Sequence, residues 1–89
     1  MRRYFKGPHE PDSDDVEYIE FTDDWPSRQV DIVEGRYYCS LDPAVPGVGG
    51  GLADQPLSRL GLPPEWEIGQ DEFEDVWVKA LEARGRDRR

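Results

Sequence analysis

The chain has 89 residues, 36% hydrophobic and 35% charged, with a formal net charge of −9 and a single cysteine. That length makes one domain and leaves no room for a second, so every large apolar side chain should matter to the core. One cysteine excludes an internal disulfide, no second Cys or His lies near enough for a zinc site, and neither a membrane-length apolar run nor a signal-like start is present. The expectation is a reducing, cytoplasmic compartment with no membrane association.

The acidic charge is concentrated in the middle of the chain. Between Gly7 and Val78 there are 18 Asp or Glu against Arg28, Arg36 and Arg59, a balance of −15, whereas residues 1–6 and 79–89 are each basic. Such a surface repels phosphates over most of its area and attracts basic partners, so direct nucleic-acid binding by the acidic face is excluded and is left only to the two ends. Three Trp, three Phe and four Tyr supply bulk that a disordered chain would lack, so a folded core is expected. Nine Arg against two Lys, with no Asn, suits a GC-rich bacterial genome.

In chain order, Arg3 to Lys6 reads as a short edge strand stopped by Gly7-Pro8, and His9 to Asp15 as a polar loop. Val16 to Thr22 alternates in two apolar sets, Val16/Tyr18 and Ile19/Phe21, which predicts a strand with one face under a helix and the other partly covered or used for binding. Asp23 to Pro26 reads as a turn, and Arg28 to Val33 as a strand with Val30 and Ile32 inward. Glu34-Gly35 then supplies a hairpin turn, and Arg36 to Leu41 the return strand.

Residues 42–64 carry five Pro and five Gly and predict a long loop, tacked to the core by Leu52, Leu57, Leu60 and Leu62, with one helical turn at Pro56 to Leu60. Phe73, Val76, Trp77, Ala80 and Leu81 recur at helical spacing and predict a helix near 70–84. Gly69 or Asp71 caps its start, Gly85 ends it, and Trp77 is assigned to the core. The fold class is therefore α+β: a small antiparallel sheet of three to five strands with one C-terminal helix on a face. It forms a single domain over 1–85 with a disordered basic tail at 86–89.

Candidate chemistry is sparse. The run Gly47-Val48-Gly49-Gly50-Gly51 has Leu52 where a dinucleotide fingerprint needs glycine, and no Lys-Ser/Thr follows, so it reads as a tether. Asp12-Ser13-Asp14-Asp15 opens like a calcium loop, but Glu17 stands where the sharp turn requires Gly. Cys39 lies in a strand beside Tyr37 and Leu41 as a small hydrophobe, with His9, thirty residues away, the only histidine available as its base. No catalytic residue, cofactor or metal site is expected. Tyr4, Phe5, Trp25, Tyr38 and Trp66 cannot all be buried in so small a domain, and exposed rings framed by acids make a protein-binding surface.

The segments Trp25-x-x-Arg28-x-Val30-Asp31-Ile32, Glu34-Gly35-Arg36 and Glu72-Phe73-Glu74-Asp75-Val76-Trp77-Val78-Lys79-Ala80 together resemble a family of small acidic bacterial domains of unknown function. Its members show a Trp-x-x-Arg-x-Val-Glu strand, an Asp-Gly-Arg turn and a closing Glu-Phe-Glu-x-Val-Trp-x-Lys-Ala helix. The resemblance covers residues 16–42 and 65–81, and departs from the family at Gly7-Pro8-His9 and in the glycine-rich loop. It implies a bacterial single domain and carries no catalytic residue.

The leading functional expectation is a non-enzymatic acidic protein that captures a basic protein partner, such as an immunity protein or inhibitor occluding the groove of a nucleic-acid-binding enzyme. The contacts expected are Asp14, Asp15, Glu17, Asp23, Asp24 and Trp25. An accessory or scaffold subunit of a bacterial complex is the second reading, and a small enzyme using Cys39 the third.

Overall fold

The computed structural model describes residues 1–8, 12–41 and 51–87. A five-stranded antiparallel sheet in the order β4-β3-β2-β1-β5 is built from β1 (Arg2–Pro8), β2 (Val16–Thr22), β3 (Trp25–Val33), β4 (Arg36–Cys39) and β5 (Glu67–Ile68). The helix α2 (Gln70–Asp87) packs on one face, and a segment containing the single-turn helix α1 (Leu57–Leu60) crosses the other. The α+β class read from the sequence is the fold observed.

The two-sided alternation of β2 sets up both cores. Tyr18 joins Tyr4, Val30 and Cys39 beneath Phe73, Val76 and Ala80 of α2, while Ile19 and Phe21 join Phe5 on the opposite face. That second face is closed by Ala53, Leu57, Leu62 and Trp66, so the irregular segment replaces a second helix layer. Trp66 lies directly on the backbone of Gly7: a Cβ there would meet the indole at 2.5 Å, which is why this strand carries a glycine in its interior.

Local chemistry accounts for the connections. Glu34 and Gly35 both adopt positive φ, 51° and 77°, the pairing that a tight two-residue hairpin between twisted strands requires. Asp15 braces that turn by accepting the Glu34 N–H at 2.9 Å. At the other end of the sheet β2 and β3 are joined by Asp23 and Asp24 alone, with Asp23 at φ 59°. Pro26 is tolerated within β3 because β4 pairs only with Val30 to Val33 and asks for no N–H at that point. A register shift at Glu20/Phe21 leaves Ser27 out of the ladder, and its hydroxyl donates to the Glu20 carboxylate at 2.7 Å.

Several boundaries differ from the sequence reading. β1 runs through Gly7-Pro8 and is not an edge at Tyr4 and Phe5, where β5 pairs with it. β3 begins at Trp25, so the expected four-residue turn shrinks to two. The helix continues through Gly85 to Asp87, because one glycine costs only about 1 kcal/mol relative to Ala and no Pro follows to stop it. Of its apolar stripe, Phe73, Val76 and Ala80 are buried, whereas Trp77 is half-buried and Leu81 is exposed. Residues 42–50 of the long loop, His9, the first four residues of the glycine run and residues 88–89 of the expected tail lie outside the described residues.

Candidate binding surface

The six expected contact residues fall into two groups at opposite ends of β2. Asp14, Asp15 and Glu17 stand at its start, next to the Glu34-Gly35 turn; Asp23 and Asp24 form the turn at its finish, and Trp25 follows them as the first residue of β3. At about 3.3 Å per strand residue, Glu17 and Asp23 are roughly 20 Å apart. Strand length alone, seven residues from Val16 to Thr22, was the signal for that separation.

Within each group the acids differ in what they are free to do. Asp14 is exposed, Asp15 is engaged with the Glu34 N–H, and Glu17 lies half-buried beside Phe5, Gly7, Ile19, Leu62 and Trp66. The Asp24 carboxylate accepts both the backbone N–H of Ser58 at 2.9 Å and its hydroxyl at 2.8 Å, and the Asp24 carbonyl accepts the Leu57 N–H at 2.8 Å. Asp24 is thus a clamp that fastens α1 to the sheet. Asp23 accepts the Met1 amine at 2.9 Å while its own N–H donates to the Met1 carbonyl at 2.7 Å. That ammonium holds the Asp23 carboxyl below its usual range, so the group is anionic at neutral pH.

Trp25, the first residue of β3, follows these two fastened aspartates and is 57% exposed. Register aligns it with Thr22 and Arg2 in one row across β3, β2 and β1. Of the five rings that could not all be buried, Tyr4 and Phe5 are buried, Tyr38 and Trp66 are half-buried, and Trp25 alone is exposed.

The helix side of the sheet holds a charged network. Arg28 pairs with Glu20, which is 3% exposed, and with Glu74 at 2.7 Å, and its guanidinium lies 5.1 Å from the ring centroids of both Phe73 and Trp77. The Arg28 hydrogen bonds keep the Glu20 carboxyl below its ordinary value against the opposing effect of burial. Burial, followed by the neighbouring Glu20 carboxylate, pushes the Tyr4 phenol up. Every member faces another, so this network joins helix to sheet.

Other candidates give little. Cys39 is 1% exposed within the helix-side core. The cavity between Trp66, Leu62, Phe5 and Glu17 measures about 10 Å³, room for about one water. Among the described residues no three His, Cys, Asp or Glu side chains converge to hold a metal ion, and no helix is long and apolar enough to cross a membrane. On α2, Val78 and Leu81 are exposed, 51% and 38%, although Leu81 belongs to the apolar stripe that predicts the helix. Comparison with protein-family models, curated proteins and solved structures finds no match to this chain.

Proposed function

We propose that the chain is a non-enzymatic acidic binding protein that captures a basic protein partner, in the manner of an immunity protein or inhibitor that blocks a nucleic-acid-binding enzyme. The observation that carries this reading is Trp25: a tryptophan more than half exposed, on a two-residue turn held from one side by the Met1–Asp23 contacts and from the other by the Asp24–Ser58 clamp. A ring presented on a fastened turn loses little further entropy on binding, and large aromatic side chains supply most of the short-range energy at interfaces. The charge of −9 supplies attraction at longer range.

The roles of the six residues divide accordingly. Trp25 anchors, Asp23 contacts the partner beside it, and Asp14, Asp15 and Glu17 at the far end steer through their field. Asp24 serves the fold. To test this, the tagged protein is used to recover partners from its native cells at low and at high salt. A basic protein retained at low salt, released at high salt and lost with Trp25→Ala is the expected result. Recovery of no basic protein, together with turnover of a metabolite that Cys39→Ser abolishes, would replace binding by Cys39 chemistry.

A further inference from the structure

We infer that Arg2 and Trp25 together receive a carboxylate, an Asp or Glu side chain carried by the captured protein, so that the basic partner is recognised by one acidic group set among its cations. The inference rests on the proposed capture of a basic protein and deepens it, naming the group that lands beside the anchor.

Arg2, Thr22 and Trp25 are paired across β1, β2 and β3, one row beyond Tyr4, Glu20 and Arg28. Alternation along a strand puts Arg2 on the face of Tyr4 and Thr22 on that of Glu20, so the row lies on the helix side of the sheet. The helix leaves it open: Arg2 is exposed and Trp25 is 57% exposed. At about 4.8 Å between neighbouring strands, the backbones of Arg2 and Trp25 are roughly 10 Å apart, with only the short side chain of Thr22 between them. The Thr22 hydroxyl is engaged, donating to Ser27 at 2.9 Å.

What the row presents is donors. A guanidinium and an indole both carry N–H groups and neither accepts a hydrogen bond. Among the described residues no hydrogen bond or ion pair engages the side chain of Arg2 or of Trp25. The carboxylates of the adjoining turn and row are occupied: Asp23 by the Met1 amine, Asp24 by Ser58, and Glu20 by Arg28 and Ser27. An acidic protein thus sets an unpaired cation in the row of its exposed tryptophan. Donors on both sides of a short residue suit an acceptor with two oxygens, and guanidinium–carboxylate pairs are the strong form of that bond. A Lys or Arg of the partner placed there meets like charge, so the row selects against surfaces that are merely basic. A phosphodiester strand could meet the same donors, but each further phosphate is repelled by the net charge of −9, whereas a lone carboxylate arrives on a protein that is attracted.

The test uses the full chain, isotope-labelled for NMR, with the Trp25 indole N–H assigned by comparison with Trp25→Phe. The probes are two Lys/Gly peptides identical except for a central Glu in one and Gln in the other, and a short thymidine oligonucleotide. Net charge alone favours the Gln peptide, which is the more positive; the row reverses that order. The Glu peptide is expected to bind at least threefold tighter and to shift the Trp25 indole N–H further. Arg2→Gln is expected to abolish the difference while the melting temperature stays within a few degrees. If the Gln peptide binds as tightly or tighter, or the preference for Glu survives Arg2→Gln, the carboxylate site is wrong and capture by charge alone stands. If neither peptide binds even at low salt, both the site and the capture of basic proteins fail. An oligonucleotide that shifts the same indole at lower concentration than the Glu peptide would put a nucleic-acid strand in place of the acidic side chain and overturn the choice of occupant.

Discussion

Arg28 grips Glu20 with two parallel hydrogen bonds, Nε to Oε1 at 3.0 Å and Nη2 to Oε2 at 2.6 Å, across adjacent strands and beneath the helix. Because Glu20 is almost wholly buried, removing its partner leaves a carboxylate without compensation. Arg28→Ala should therefore destabilise by about 3–5 kcal/mol, at the lower end because Arg28 is partly exposed. Urea denaturation at neutral pH measures this.

The same pair sets a pH dependence. The Glu20 carboxyl is depressed in the folded state relative to its ordinary value of 4.5. Its contribution is therefore fully present above the unfolded pKa and is lost as pH falls through the lower, folded one. Denaturation midpoints followed downward from pH 6 should decline below about pH 4.5 in the wild type, and less steeply in Glu20→Gln. Equal slopes in the two proteins would mean that other carboxylates dominate the acid transition.

Helix docking depends more on Phe73 than on Trp77. Phe73 has no exposed surface and its ring lies 5.2 Å from Tyr4, whereas Trp77 is only half-buried and stacks 6.3 Å from Phe73. Phe73→Ala should cost about 3–5 kcal/mol and Trp77→Ala about 2. Reading Trp77 from periodicity alone assigns it the larger cost, so the order of the two in chemical denaturation distinguishes the structure from the sequence pattern.

The two aspartates of the β2–β3 turn should part company when substituted. Asp23→Lys loses an exposed ion pair with the Met1 amine and puts Lys at a φ of 59°, and is expected to lower the melting temperature by no more than a few degrees. Asp24→Ala removes the carboxylate that holds both Ser58 donors and should cost about 1–2 kcal/mol. Amide exchange over residues 53–66 should quicken in Asp24→Ala while β2 and β3 keep their protection.

What the sequence made legible follows from periods long enough to read. The alternation of Val16/Tyr18 against Ile19/Phe21 assigned both faces of β2, and Glu34-Gly35 specified the β3–β4 hairpin through backbone conformation alone. β5 has two residues and so no period to detect. The Ser27 bulge sets Glu20 opposite Arg28, and the Asp24–Ser58 clamp spans 34 residues; both depend on tertiary placement that no local window contains. An unburied aromatic was foreseeable from the size of the domain, but its identity as Trp25 required knowing that Trp66 finds Gly7 and that Tyr4 and Phe5 lie inside the sheet.

The most direct test of the proposed capture is the kinetics of association with the basic partner recovered from native cells, followed by stopped flow as a function of salt. The expected association rate falls steeply from low salt to physiological ionic strength, where the Debye length is about 8 Å. Asp23→Lys should lower that rate further, while Trp25→Ala should leave it nearly unchanged and speed dissociation by roughly tenfold or more. An association rate indifferent to salt, with a dissociation rate indifferent to Trp25, would contradict both steering by the acidic surface and anchoring by the exposed ring.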